Sequence, residues 1–346
     1  MRLHIVGGFL GSGKTTAIIG AAKMLMGRGQ RVGVVTNDQG RYLVDTAFFQ
    51  SAMVPAVEVT GGCFCCNYDD LDAQLSALKD TAQPDVIFAE SVGSCADIVA
   101  TVVKPLRQLQ HDTDFDSTSF SVFADARLLR RRLLGLPMPF SEEVVYLFDK
   151  QIEEAGLLVV NKRDLLAPET VSEIGDLTRR HFPEKPVRLQ NSLKTEDIAG
   201  WLSALEAGEA TPPTSVLDID YARYGAGEAA LAWLDESLMF TVAPGSGRDV
   251  VIAFIGGLLS RLERRRSGIG HLKFIVSAGA VLAKVSFPSL DVGAWDDQIP
   301  TLPGEVISVL VNARVVMSAT GLRDLVSATV EDAVAEETTY YFYDDG

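Results

Sequence analysis

The 346-residue sequence is short of several things, and each shortage excludes a class of protein. Cysteine is scarce: there are four, and three of them are packed into Cys63-Phe64-Cys65-Cys66. A disulfide framework spreads cysteines along the chain to close long loops, so reduced thiols in a cytosolic setting are the expectation. No apolar run approaches the ~18 residues of a membrane span, and Gly and Lys interrupt the N-terminal apolar stretch within a dozen positions. The expectation is a cytoplasmic protein with no membrane partner. Positive charge is also short, with 31 Lys and Arg against 46 Asp and Glu and a net charge of −15. That balance excludes a protein that tracks nucleic-acid backbone, and any anionic ligand must be held by local groups. The densest basic runs, Arg130 to Arg132 and Arg264 to Arg266, read as solvated helix faces. The four histidines, His4, His111, His181 and His271, are scattered, which suits structural or surface roles better than a ligand set.

What is present is an ordinary globular composition, 47% hydrophobic and 22% charged, in a chain long enough for about two domains. Short apolar runs at Leu3 to Val6, Val32 to Thr36, Val57 to Val59, Val86 to Ala89, Phe120 to Ala124 and Leu157 to Val160 alternate with helical patterns. Near-continuous apolar strands separated by helices predict an α/β domain over 1–205, a mostly parallel sheet with helices on both faces and ligands at the strands' carboxyl ends. Gly, Pro, Thr and Ser then cluster, predicting a linker over 206–235. A smaller α+β domain is expected over 236–346, with strands at Leu238 to Val242, Leu272 to Val276, Val281 to Phe287 and Val306 to Val316. Helices are expected at Val250 to Arg266 and Leu322 to Ala335. The aromatic and acidic tail from Tyr340 has no assigned role.

Two motifs carry chemistry. Gly8-Phe9-Leu10-Gly11-Ser12-Gly13-Lys14-Thr15 follows the first strand and opens a helix, the context that the phosphate-loop pattern G-x-x-x-x-G-K-[ST] requires. Gly8, Gly11, Ser12 and Gly13 let backbone N–H groups turn around phosphates. Lys14 reaches the β and γ oxygens, and Thr15, with Thr16 beside it, brings a hydroxyl to Mg2+. Asn161-Lys162-Arg163-Asp164 ends a buried strand late in the same domain. One carboxylate, Asp164, can accept both the ring N–H and the exocyclic amine of guanine, a donor pair that adenine lacks, so GTP is expected over ATP.

Three further segments, with these two, resemble the CobW-like GTPases, a P-loop NTPase group related to the HypB and UreG nickel-insertion proteins, over about residues 1–205. The most telling is Gly61-Gly62-Cys63-Phe64-Cys65-Cys66, matching the family's C-x-C-C. Glu90-Ser91-Val92-Gly93 resembles its E-x-x-G, and Asn37-Asp38-Gln39-Gly40 its N-[DE]-x-G. The resemblance implies that Glu90 organises Mg2+ or its water shell and that the Gly93 N–H senses the γ-phosphate. It makes Asp38 a candidate for Mg2+, for water positioning or for a transported metal, with Lys14, Asp38 and Glu90 as the catalytic set. Asp38 also reads as an ordinary strand-ending turn. The chain departs from many members in Arg41, where an acidic residue is common, and in lacking a histidine-rich run before the second domain.

A C-x-C pair on an extended segment puts two sulfurs on one side, and the third thiol makes a soft, incomplete metal site of Cys63, Cys65 and Cys66, suited to delivery. Cys95 stands either as a fourth ligand or as a small buried residue. Zn2+ or Co2+ are the expected cargoes because thiolates favour them, and the sequence does not rank them against nickel, iron or copper. The expected function is a GTP-hydrolysing metal chaperone or insertase acting on a client metalloenzyme. The alternative is a GTP-gated protector or reactivator of a cofactor-dependent enzyme, corrinoid for example, that carries no metal. A small-molecule phosphotransferase ranks below both, and a nucleotide-dependent homodimer is a candidate assembly.

Overall fold

A computed structural model describes residues 1–37, 49, 52–59, 64, 68–109, 115–287, 289–290, 293–334 and 338–343. Among these the chain forms two compact units, one running through Gly227 and one starting at Glu228.

The first unit is built on seven parallel strands: β1 (Arg2–Gly8), β2 (Val32–Thr36), β3 (Ala56–Glu58), β4 (Val86–Glu90), β5 (Ser117–Asp125), β6 (Leu157–Asn161) and β7 (Val187–Leu189). Their order is β3-β2-β4-β1-β5-β6-β7. The central strands are buried almost throughout because helices cover the sheet. On one face α1 (Lys14–Gly27) and α7 (Thr195–Glu206) pack Ala17, Ile18, Ala21, Trp201 and Leu202 against Val6, Val34, Phe88, Phe123 and Val159. Successive strand residues point to opposite faces. Gly33, between Val32 and Val34, therefore faces the other side, where a Cβ on it would lie 2.5 Å from Leu78 of α2 (Tyr68–Ala82). Among the described residues this unit also has α3 (Lys104–Leu109), α4 (Ala126–Leu133), α5 (Glu142–Glu154) and α6 (Pro168–His181), and α8 (Tyr221–Ala229) spans its end at Gly227.

Strand β7 and helix α8 were not expected. Val187-Arg188-Leu189 is three half-buried residues at a sheet edge, too short to show a period. Tyr221-Ala-Arg-Tyr-Gly-Ala-Gly-Glu-Ala hides its helix behind two glycines, and it falls inside the stretch expected to be linker. The basic run Arg130 to Arg132 belongs to α4, where Arg130 pairs with Glu173 at 2.6 Å and Arg132 with Asp149 at 2.7 Å, so two of the three cations brace helices.

The second unit is an antiparallel sheet in the order β10-β9-β11-β8-β12. Its strands are β8 (Leu231–Thr241), β9 (Ile269–Ala278), β10 (Val281–Phe287), β11 (Val306–Val316) and β12 (Thr339–Tyr343). Helices α9 (Gly247–Arg264) and α10 (Ala319–Ala333) supply Phe254, Leu258, Leu322 and Val326 to the core, against Leu238, Phe274, Val309 and Val311. The unexplained aromatic tail is β12, an edge strand paired to β8, as its run of β-favouring tyrosines allows.

Candidate functional site

Parallel strands deliver their carboxyl ends to one edge of a sheet, and the phosphate loop, Glu90 to Gly93 and Asn161 to Asp164 all follow such ends. At the end of β1 the chain turns through Gly8, Gly11 and Gly13, each at positive φ (126°, 68° and 96°), into α1. Gly13 caps α1 without a side chain, and the first turn of this helix contains no acidic residue of its own. The Lys14 ammonium folds back over the loop and donates to the Gly8 carbonyl at 2.8 Å.

From the end of β4, Glu90 meets the phosphate loop: the Thr15 hydroxyl donates to its Oε1 at 2.8 Å, and Glu90 is buried. Three residues on, Gly93 lies hard against the loop. A Cβ there would come within 2.9 Å of both Leu10 N and Leu10 Cα, so no other residue fits this approach.

From the end of β6 the other predicted motif reaches the same loop. Asn161 Nδ2 donates to the Ser12 carbonyl at 2.8 Å, and the Lys162 ammonium donates to the Gly11 carbonyl. Gly13 has to be glycine here, because a Cβ would lie 2.4 Å from Asn161 Nδ2. Asp164 sits on the short 3-10 turn Arg163–Leu165 and is exposed. The turn is anchored by Arg163, whose guanidinium donates twice to Asp197, both bonds at 2.9 Å.

Sequence reasoning missed two supports of this loop. Asp125, at the end of β5, caps α4 and lies 3.3 Å from the Lys162 ammonium. Burial pushes its carboxyl up, but the bonds from Arg127 and the Lys162 and Arg127 charges more than offset that, so its pKa is lowered. Burial in turn lowers the Lys162 pKa, with Asp125 opposing. The second support is Ser192, in the loop after β7, whose N–H and Oγ donate to Asn161 Oδ1 at 3.1 and 2.9 Å. The available signal for Asp125 was a carboxylate at a strand end opening a helix; Ser192 gave none without β7.

Of the remaining predicted residues, Asp38, Cys63, Cys65 and Cys66 lie outside the described residues. Their neighbours are placed: Asn37 Oδ1, at the end of β2, accepts the Phe64 N–H at 2.8 Å, tying the strand end to the cysteine segment. Cys95 is buried, and among the described residues no group of three or more His, Cys, Asp or Glu is placed to hold a metal. His4 bonds Ser119, His181 the Leu177 carbonyl and His271 Asn312. Among the described residues no helix is long and apolar enough to cross a membrane.

A glycine-rich loop opening a helix, a carboxylate beside its threonine and an N-K-x-D strand end tied to the same loop define a P-loop nucleotide-binding domain. The chain belongs to the CobW/HypB/UreG family, whose nucleotide-binding domain it matches over residues 2–188. It is 25% identical over 205 residues to the zinc chaperone CobW of Sinorhizobium sp., covering 54% of this chain and 57% of that protein. It is 28% identical over 174 residues to the zinc chaperone YeiR of Escherichia coli K12, covering 49% and 48%. The chain thus spans about half the length of the curated relatives it matches. Among solved structures, HypB of Helicobacter pylori in complex with nickel matches 62% of this chain and 91% of its own at 17% identity and a TM-score of 0.43. A Zn(II)-bound triple mutant of the YjiA GTPase matches 95% and 98% at 12% identity and a TM-score of 0.36.

Proposed function

We propose that this protein binds and hydrolyses GTP and uses the nucleotide to gate a thiolate metal site for delivery to a client protein. The observation that carries the nucleotide half is the bond from Asn161 to the Ser12 carbonyl, at 2.8 Å, which joins the expected base-reading strand end to the phosphate loop. A phosphate chain on Gly8 to Thr15 and a base at Asp164 are then served by one connected backbone.

The oxygen donors at the loop suit Mg2+, since a hydroxyl and a carboxylate 2.8 Å apart are hard ligands of the right kind. Thr15 and Glu90 would hold it, and when bound it neutralises charge on the β and γ oxygens. Lys14 and the N–H groups of the loop and of α1 take the rest of the phosphate charge, and Gly93, pressed on Leu10, is sited to respond to the terminal phosphate.

The metal half rests on Cys63, Cys65 and Cys66 and on the relatives named zinc chaperones, which favour Zn2+ as cargo. Asn37 supports a link between the halves, because it fixes Phe64, within the cysteine motif, to the strand that leads into Asp38. If nucleotide and metal sites are coupled, each ligand changes the other's affinity by the same factor, commonly worth about 1–3 kcal/mol. The test measures Zn2+ and Co2+ affinity with GDP and with a non-hydrolysable GTP analogue, in the native protein and with Cys63, Cys65 and Cys66 changed to Ser. Tighter metal binding in one nucleotide state, lost with the thiols, is the expected result. Equal affinities in both states, or binding that survives loss of the thiols, would overturn the gated chaperone.

A further inference from the structure

Helix α5 carries two buried polar side chains one turn apart, Gln151 and Glu154, and positions three apart share a helix face. Both end on the stretch that leaves β4. Gln151 Nε2 donates to the Gly93 carbonyl at 3.0 Å and to the Cys95 carbonyl at 2.8 Å. Glu154 Oε1 accepts from the Val99 N–H at 2.5 Å. Residues 93–99 are therefore gripped at both ends by one helix.

The gripped stretch is not a regular element. It holds Asp97 in the left-handed region at φ 67°, where non-glycine residues are uncommon, and it runs into a π-helical turn, Val99–Val103. Backbone of this kind keeps its shape only if the surroundings hold it. Gly93 is held from two sides, by Leu10 of the phosphate loop and by the Gln151 amide, which is itself only 2% exposed. A buried amide spent on two carbonyls of one irregular segment costs side-chain entropy and desolvation, and it fixes where Gly93 stands relative to Leu10.

We infer that Gln151 is a positioning residue for nucleotide-state recognition: by holding the Gly93 and Cys95 carbonyls it keeps Gly93 at the distance from the phosphate loop at which a γ-phosphate is felt. This rests on the reading of the loop as a GTP site and of Gly93 as its sensor. A residue that merely fills the core would affect GDP and GTP alike, whereas a residue that sets Gly93 affects the triphosphate state selectively.

The experiment compares the native protein with Gln151→Leu and Gln151→Glu, measuring affinity for GDP and for a non-hydrolysable GTP analogue with Mg2+, and thermal unfolding without nucleotide. Loss of one or two buried hydrogen bonds that matter in one state predicts a fall of about tenfold in the analogue-to-GDP affinity ratio of Gln151→Leu, with GDP affinity changed less than about threefold. Gln151→Glu regains part of the ratio as pH falls, because a protonated carboxyl donates one O–H to a carbonyl. An unchanged ratio, or equal losses for both nucleotides alongside a lower unfolding temperature, overturns the inference. If Gln151→Leu does not fold, Gln151→Met, unbranched and of similar length, is judged by the same ratio. A native protein that binds neither nucleotide refutes the GTP-site reading itself. One that binds both equally removes the sensor role of Gly93 and this inference with it. A native preference that Gln151→Leu retains refutes the role of Gln151 alone.

Discussion

In the parallel sheet the polar side chains of the site stand where strands end, at Asn37, Glu90, Asp125 and Asn161, whereas in the antiparallel sheet a polar cluster stands in mid-strand, at Asp235, His271, Asn312 and Arg314. The first arrangement follows from burial on both faces, which leaves strand ends as the places where polar groups meet a ligand. The second follows from having helices α9 and α10 on one face, so that alternate residues on the other can be polar. There they serve each other across strands: Asn312 Oδ1 bonds His271 Nε2 at 2.5 Å, and the Arg314 guanidinium stacks 3.6 Å from the centre of the Trp233 ring. The first sheet also has buried polar residues in mid-strand, and they satisfy groups of the fold: burial holds His4 at a pKa of about 3 and Ser119 bonds it at 2.7 Å, while Ser121 accepts from the Trp201 indole at 3.1 Å. The comparison separates polar groups that make a site from polar groups that make a fold.

The sharpest way to break it is Lys14→Ala. If strand-end groups serve a ligand, nucleotide affinity and phosphate release fall by roughly 10²-fold or more while the thermal unfolding of the nucleotide-free protein is retained. Turnover equal to the native rate would remove the phosphate-loop assignment. Next in size is Asp164→Asn. Its amide N–H can donate to the carbonyl that xanthine carries in place of guanine's amine, so GTP should lose and xanthosine triphosphate gain, for a combined change of about 10²-fold in competition assays. Native protein that takes ATP and GTP equally would show that Asp164 does not read a base.

How much of this the sequence disclosed follows the same division. β1, β2, β4, β5 and β6 are visible as apolar runs because both of their faces are buried, and β10 and β11 match their expected ranges because bulky β-branched residues mark them. β8 begins at Leu231, well before the expected Leu238, because Trp233, Asp235 and Glu236 interrupt its apolar pattern. Gly8 to Thr15, Glu90, Gly93 and Asn161 to Asp164 were legible because each is a local pattern of residue types. Asp125, Gln151 and Ser192 were not, since what they do depends on residues 31 to 58 positions away: Lys162 for Asp125, Gly93 for Gln151 and Asn161 for Ser192. Linear spacing carries a motif but not the groups that hold it in place.

Arg314→Ala tests the other half of the comparison. It removes the stacked cation and leaves the Leu231 carbonyl, which the guanidinium reaches at 3.3 Å, without that donor. About 3 kcal/mol of stability should be lost, with GDP affinity within about twofold of native. Denaturant unfolding and nucleotide titration on the same preparation check this, and a large drop in nucleotide affinity without loss of stability would blur the division between site and fold.

The smallest effect is one of slope, and it separates two buried groups of the first unit. Burial pushes the Glu154 carboxyl up to about 7, with nearby Asp97 adding to the rise and the backbone N–H groups of Val99, Ile98 and Asp97 opposing it. Its unfolded value is 4.5, so between about pH 4.5 and 7 the folded state holds a proton that the unfolded state has released. Stability from this group is complete below 4.5 and is lost as pH rises through that window, at up to about 1.4 kcal/mol per pH unit. His4 acts in the opposite sense. Its folded pKa of about 3 lies below the unfolded 6.5, so it contributes stability above 6.5 that is lost as pH falls. Between about 4.5 and 6.5 the two slopes offset one another in the native protein. Glu154→Gln keeps an oxygen to accept the Val99 N–H and removes the titration, so stability in that variant should rise with pH across the window where the native curve is flatter. Unfolding free energies at half-unit steps from pH 4.5 to 7 decide it, and a variant curve parallel to the native one would mean that Glu154 is charged in the folded protein throughout.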